Sequence, residues 1–157
     1  MELHATLYVN LFEKNNHNSL FELIEQGELY PSNLNDIIGD NKNYLVDKLF
    51  NKSEIDAFFF DDVYQEEGYI VATLAGGNGS EDSLMQLAGF FQDVFLDSDV
   101  RIKGQGEEFY LIFIRNLNNE IQLKSWEEGD PEDLIGYQDW FNEGLPDSLQ
   151  DNGFDYY

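Results

Sequence analysis

The 157-residue sequence predicts an α+β domain, a mainly antiparallel sheet with helices packed on one face. Three observations carry that expectation. Several short segments alternate apolar and polar residues, the mark of half-buried strands. Other segments carry apolar residues at helical spacing behind recognisable N-terminal caps. Strand candidates follow one another through short polar connections, which suits antiparallel pairing.

The chain opens on a strand. Leu3, Ala5, Leu7, Val9 and Leu11 share one face, and His4, Thr6, Tyr8 and Asn10 the other. A helix over about 19–26 follows, with Ser19 and Glu22 at capping-box spacing and Gly27 as its stop. Pro31, Ser32 and Asn33 start another helix, which Gly39 ends. Asp40 then caps a further one, where Tyr44, Leu45, Lys48 and Leu49 recur at helical spacing. Residues 55–60 and 69–75 read as strands joined by the polar connection DDVYQEEG.

Ser80 caps the best-defined helix, over 81–97. Glu81 and Asp82 sit in its first turn, where the helix dipole favours negative charge. Leu84, Leu87, Ala88, Phe91, Val94 and Phe95 form its apolar stripe. Strands over 99–103, 108–115 and 120–126 come next, the last two joined by a hairpin loop at NLNN, 116–119. Asp130 caps the final helix, Pro131 takes its first position and Gly144 ends it. From about 145 the tail LPDSLQDNGFDYY has turn chemistry and no period. Nothing marks a linker, so residues 1–157 read as a single acidic domain with an irregular C-terminal tail.

Composition narrows the function. There are 32 acids against 8 basic residues, a net charge of −24. Binding to nucleic acid or to an anionic membrane relies on Lys and Arg, so both are disfavoured as direct partners. A basic protein is favoured, because complementary fields speed encounter. The absence of cysteine removes disulfides, thiolate metal sites and Cys nucleophiles. No segment approaches a membrane span and the N-terminus lacks the basic start of a signal peptide, so a cytoplasmic protein is expected.

Catalytic patterns are sparse, and no enzyme activity, metal or cofactor is expected. His4 and His17 form no paired ligand motif and read as ordinary surface or sheet-face residues. AGGNGSEDS, 75–83, has the glycines of a phosphate-binding turn but no P-loop lysine, and Glu81 and Asp82 already answer the helix dipole. Adjacent acid pairs such as Asp61–Asp62, Glu66–Glu67, Glu107–Glu108 and Glu127–Glu128 are expected by chance in so acidic a chain. DSD at 97–99 and DNGFD at 151–155 resemble fragments of a calcium loop without its full order of ligands.

The charge is unevenly distributed. No Lys or Arg occurs between Lys52 and Arg101, nor after Lys124, and these two stretches hold 21 of the 32 acids. Aromatic residues run through the same stretches: Phe58, Phe59, Phe60, Tyr64, Tyr69, Tyr137, Trp140, Phe141, Phe154, Tyr156 and Tyr157. Core packing accounts for Phe91, Phe95, Trp140 and Phe141. Strand alternation sends Phe58 and Phe60 to one face and Phe59 to the other, where it needs separate cover. An aromatic anchor within a charged rim suits a protein interface.

The partner-binding residues expected on this reading are Asp61, Asp62, Tyr64, Glu66 and Glu67 in an exposed loop, with Glu127, Glu128 and Asp130 from the C-terminal region. The function expected is non-catalytic inhibition of a basic protein by covering its positive surface, in the manner of an immunity protein or antitoxin against a nuclease toxin. One alternative is a phage-type nucleic-acid mimic that inhibits a restriction or CRISPR nuclease. Another is a carboxylate-based enzyme or calcium-binding module.

Overall fold

A computed structural model describes residues 3–75, 80–107 and 110–150. The elements follow the order β1 (His4–Leu11), α1 (Lys14–Glu25), β2 (Glu28–Leu29), α2 (Pro31–Ile37), α3 (Asn43–Ser53), β3 (Phe58–Glu66) and β4 (Tyr69–Ala75). After these come α4 (Glu81–Val94), β5 (Ser98–Gln105), β6 (Tyr110–Leu117), β7 (Glu120–Glu127) and α5 (Pro131–Asn142). One sheet in the order β2-β3-β4-β1-β5-β6-β7 unites the strands, and every neighbouring pair is antiparallel. The α+β class and the antiparallel sheet are therefore as the sequence predicts. Among the described residues no helix is long and apolar enough to cross a membrane.

The opening strand places Leu7 against Ala72 on one side and Ile102 on the other, at the centre of the main core. α1, α2, α3 and α4 cover this face, contributing Leu20, Ile24, Leu34, Val46, Leu49, Leu84 and Phe91. The fifth helix corrects the expectation that all helices share that face. Tyr8, Val71, Leu111, Phe113 and Trp126 point to the opposite face, and Leu134 and Phe141 of α5 close a second core over them. Large apolar side chains on both faces of β1, β4 and β6 need cover on both sides.

Several local expectations change as well. α1 begins well before Ser19: the Glu13 carboxylate accepts the backbone N–H groups of Asn15 and Asn16, at 3.2 and 2.7 Å. This start puts His17, Leu20 and Ile24 on one buried face. Asp40 does not cap α3. It lies in a 3-10 turn with Lys42, and Val46, Leu49 and Phe50 form the buried stripe while Tyr44 stays exposed. Ser80 and Asp130 do cap α4 and α5. α4 stops at Val94, so DSD leads from the helix into β5. The tail is packed as far as the description extends, with Leu145 and Leu149 buried and Gln150 Nε2 donating to the Leu145 carbonyl at 2.8 Å. The calcium-like fragment DNGFD, the aromatic residues Phe154, Tyr156 and Tyr157, and residues 76–79 of the glycine turn lie outside the described residues.

The largest change concerns DDVYQEEG. It is strand rather than loop, as β3 runs on to Glu66 and turns at Glu67 and Gly68, both with positive φ. Glu66 pairs with Tyr69 to close this two-residue hairpin. The register shifts between Asp61 and Tyr64, and Asp62 adopts φ 51°. That bulge breaks the alternation by which the segment would have declared itself a strand.

Candidate functional site

The sheet face opposite the four helices is divided. Its β5–β6–β7 half lies beneath α5, whereas its β3–β4 half carries the exposed residues of the hairpin. Cross-strand register places Asp61 opposite Thr73, Tyr64 opposite Val71 and Glu66 opposite Tyr69, all on this face. Phe59 points the same way, away from buried Phe58 and Phe60. Phe59 is 41% exposed and Tyr64 47%, each a large apolar surface between carboxylates. Asp61, Asp62 and Glu67 are exposed, and Glu66 is half-buried.

The covered half collects the cations. All four Lys and Arg residues that follow Lys52 lie on the strands beneath α5: Arg101 and Lys103 on β5, Arg115 on β6 and Lys124 on β7. The register Arg101–Arg115 and Lys103–Phe113–Lys124 sets them on one face. Arg101, fully buried, makes a two-pronged pair with Asp99 at 2.9 and 3.0 Å and donates to the Phe141 carbonyl. Arg115 donates to the Trp140 carbonyl at 2.7 Å and lies 5.6 Å from the centre of its ring. Burial, followed by the nearby Arg101 charge, lowers its pKa. Both carbonyls belong to the last turn of α5, where the helix dipole favours cations. Lys124 Nζ stands 5.4 and 5.0 Å from the rings of Tyr137 and Trp140.

The consequence is electrostatic. Residues 53–100 contain no Lys or Arg, and Arg101, the next cation in sequence, is engaged under α5. Lys103, 5.5 Å from the Tyr8 ring, stands where the two halves meet. Burial raises the Tyr64 pKa, with Tyr8 and Glu66 adding to the effect and Lys103 opposing it. Tyr64 therefore stays a neutral hydrogen-bonding group flanked by carboxylates.

The second set of expected site residues is elsewhere. Glu127 ends β7, the far edge of the sheet, and Glu128 follows in a left-handed turn. Five strand spacings, about 24 Å, separate that edge from β3. The structure therefore does not bring Glu127, Glu128 and Asp130 together with the hairpin acids. Asp130 is also occupied: its carboxylate accepts from Glu132 N–H at 2.9 Å, and its carbonyl accepts from Trp126 Nε1 at 3.0 Å. Near this edge Tyr110 donates to Glu81, and burial together with that bond pushes its pKa up to about 12.

His17 is not the surface residue expected. It is buried, its Nδ1 accepts the Leu11 N–H at 3.1 Å, and the protonated Nε2 faces Gln65 Oε1 at 3.3 Å. It clamps α1 to β1 and β3. His4 is exposed on the open face. Sequence reasoning also missed Phe12 and Leu96, 60% and 77% exposed at the end of the sheet that carries the Glu67–Gly68 turn. Among the described residues no three His, Asp or Glu side chains converge as a metal site requires.

Comparison with the models of known protein families finds none that matches the chain, and comparisons with curated proteins and with solved structures likewise find no match.

Proposed function

We propose that this chain is a non-catalytic inhibitor of a basic protein, which it binds through the open β3–β4 face so as to cover a positive, nucleic-acid-binding surface. A nuclease toxin answers that description, and the chain would then act as its immunity protein. The observation that carries this reading is the pairing of exposed Phe59 and Tyr64 with Asp61, Asp62, Glu66 and Glu67 on a sheet half without a cation. Aromatic rings supply contact area at low entropic cost, and carboxylates pair with Lys or Arg through charge-assisted hydrogen bonds.

Spacing favours this reading over imitation of a nucleic-acid duplex. Asp61 and Glu66, on one face of β3, are at most about 16 Å apart by strand rise, with Tyr64 between them. A duplex presents a charge roughly every 1.7 Å along its axis. The hairpin is better suited to plugging one site than to tracing a backbone.

The test uses the immobilised chain and a combined Asp61→Asn, Asp62→Asn, Glu66→Gln, Glu67→Gln variant with unchanged circular dichroism. The wild type should retain a basic protein that is released by salt, and the variant should associate with it more slowly, most clearly at low salt. Equal capture, association rate and salt slope for both chains would rule the hairpin out as the interface.

A further inference from the structure

The two edges of the sheet are guarded differently. At the β3 edge, β2 pairs only with Phe58 and Phe59. Beyond them the bulge, left-handed Asp62 and the exposed acids turn the strand away from any neighbour. The β7 edge carries exposed acids only toward its ends, at Glu120 and Glu127, and has no bulge within it. Its eight residues, EIQLKSWE, pair with β6 without a register shift and include neither Pro nor Gly. Among the described residues the sheet ends there.

The turn before β7 sets which backbone groups face outward. Asn118 and Asn119 both have positive φ, as in a type I′ turn, and Leu117 pairs with Glu120. Such a turn closes on a hydrogen-bonded pair, so the N–H and C=O groups of Ile121, Leu123 and Ser125 point away from β6. The side chains of Ile121 and Leu123 are only partly buried against the main core. α4 lies mainly over β5 and β6, and along β7 Glu120 and Ser125 are exposed and residues 121–124 half-buried.

We propose that this edge pairs, antiparallel, with the β7 edge of a second copy of the chain. A two-fold axis perpendicular to the sheet preserves its faces, so opposed residue numbers must sum to an even value. Pairing Gln122 with Gln122 sets Glu120 of each copy opposite Lys124 of the other, and Ile121 opposite Leu123. The outward backbone groups of Ile121 and Leu123 then bond one another. Centring on Lys124 instead opposes two lysines, and centring on Leu123 leaves Glu120 opposite Trp126. The Gln122 register is thus the one that is complementary in both charge and apolar contact. The −24 charge of each copy opposes association, but this repulsion is screened beyond roughly 8 Å at physiological ionic strength. Salt should therefore strengthen the dimer, whereas it weakens binding to a basic partner, so the two readings can fail separately.

The chain has no cysteine, which makes cross-linking a clean test. In the proposed register the Gln122 pair is not hydrogen-bonded across the new interface, with Cα atoms about 4.5 Å apart. Gln122→Cys should form a covalent dimer on mild oxidation, faster at high salt and much faster than Lys48→Cys, an exposed position on α3. Adding Glu120→Lys should slow it about tenfold, since it turns both opposite-charge pairs into like-charge pairs. Mixing the Glu120→Lys and Lys124→Glu chains should restore association, because every mixed dimer regains two Glu–Lys pairs. Lys124 also packs on Tyr137 and Trp140, so the cross-link and Glu120→Lys arms decide if Lys124→Glu fails to fold. Cross-linking at Gln122 no faster than at Lys48, or unaffected by Glu120→Lys, overturns the proposal. So does a wild-type chain that sediments as a monomer across concentration and salt.

Discussion

The β5–β6–β7 half and the β3–β4 half of one sheet face solve opposite problems. The first closes Arg101, Arg115 and Lys124, with Phe113 and Trp126, under an acidic helix. The second gathers acids and aromatic residues, and among the described residues no helix closes it. α5, with Glu132, Asp133 and Asp139 on its exposed side and Tyr137, Trp140 and Phe141 toward the sheet, shows how this chain itself joins aromatic contact to cation recognition. The open half carries similar chemistry facing solvent. The covered half should therefore govern stability and the open half association.

The largest effect should come from separating the buried ion pair. Asp99→Ala leaves Arg101 charged, buried and without its carboxylate, and removes the acceptor of the Tyr69 hydroxyl. A loss of about 3–5 kcal/mol is expected from urea unfolding. A loss under 1 kcal/mol would mean that the Phe141 carbonyl alone sustains Arg101.

Phe141→Ala should cost about 3–4 kcal/mol, since the ring is fully buried and meets Tyr8 and Phe113, each at a centroid distance of 5.8 Å. Comparable unfolding midpoints for Phe141→Ala and wild type would break the distinction between the halves.

High pH offers a graded test. Burial, followed by the bond to Asp99, raises the Tyr69 pKa, and Tyr110 is pushed up to about 12. Each folded-state pKa lies above the unfolded value near 10. The resulting stability is complete below pH 10 and is lost as pH climbs through each folded pKa. Tyr69→Phe should flatten the fall above pH 10, measured as unfolding free energy against pH. An unchanged slope would show that Tyr69 does not contribute to it.

The smallest stability effects belong to the open half. Phe59→Ala and Tyr64→Ala should each shift unfolding by no more than about 0.5 kcal/mol, as exposed substitutions usually do. Under the proposed function, either one should instead speed dissociation of a basic protein from this face. A loss of stability comparable to that of Phe141→Ala would make these rings structural.

Local signals were legible where one residue carries them. Ser80 and Asp130 declared their helices because a cap acts within a single turn. The Phe58–Phe59–Phe60 alternation correctly sent the middle ring outward, since strand side chains alternate whatever lies around them. The β3 extension was hidden because a bulge inserts a residue and cancels that period. Likewise, the Glu13 cap was masked by a better-looking Ser19–Glu22 pair one turn and more downstream.

The sequence by itself determined the acidity, the long stretches without a cation, the lack of cysteine, and most elements with their inward faces. These follow from composition and from interactions a few residues long. Tertiary structure alone decided that Arg101, Lys103, Arg115 and Lys124 share one sheet face, and that the hairpin acids stand five strands away from Glu127 and Glu128. The physical reason is strand order: which distant segments become neighbours depends on how both faces of the sheet find cover, a property of the assembled core that no local window contains.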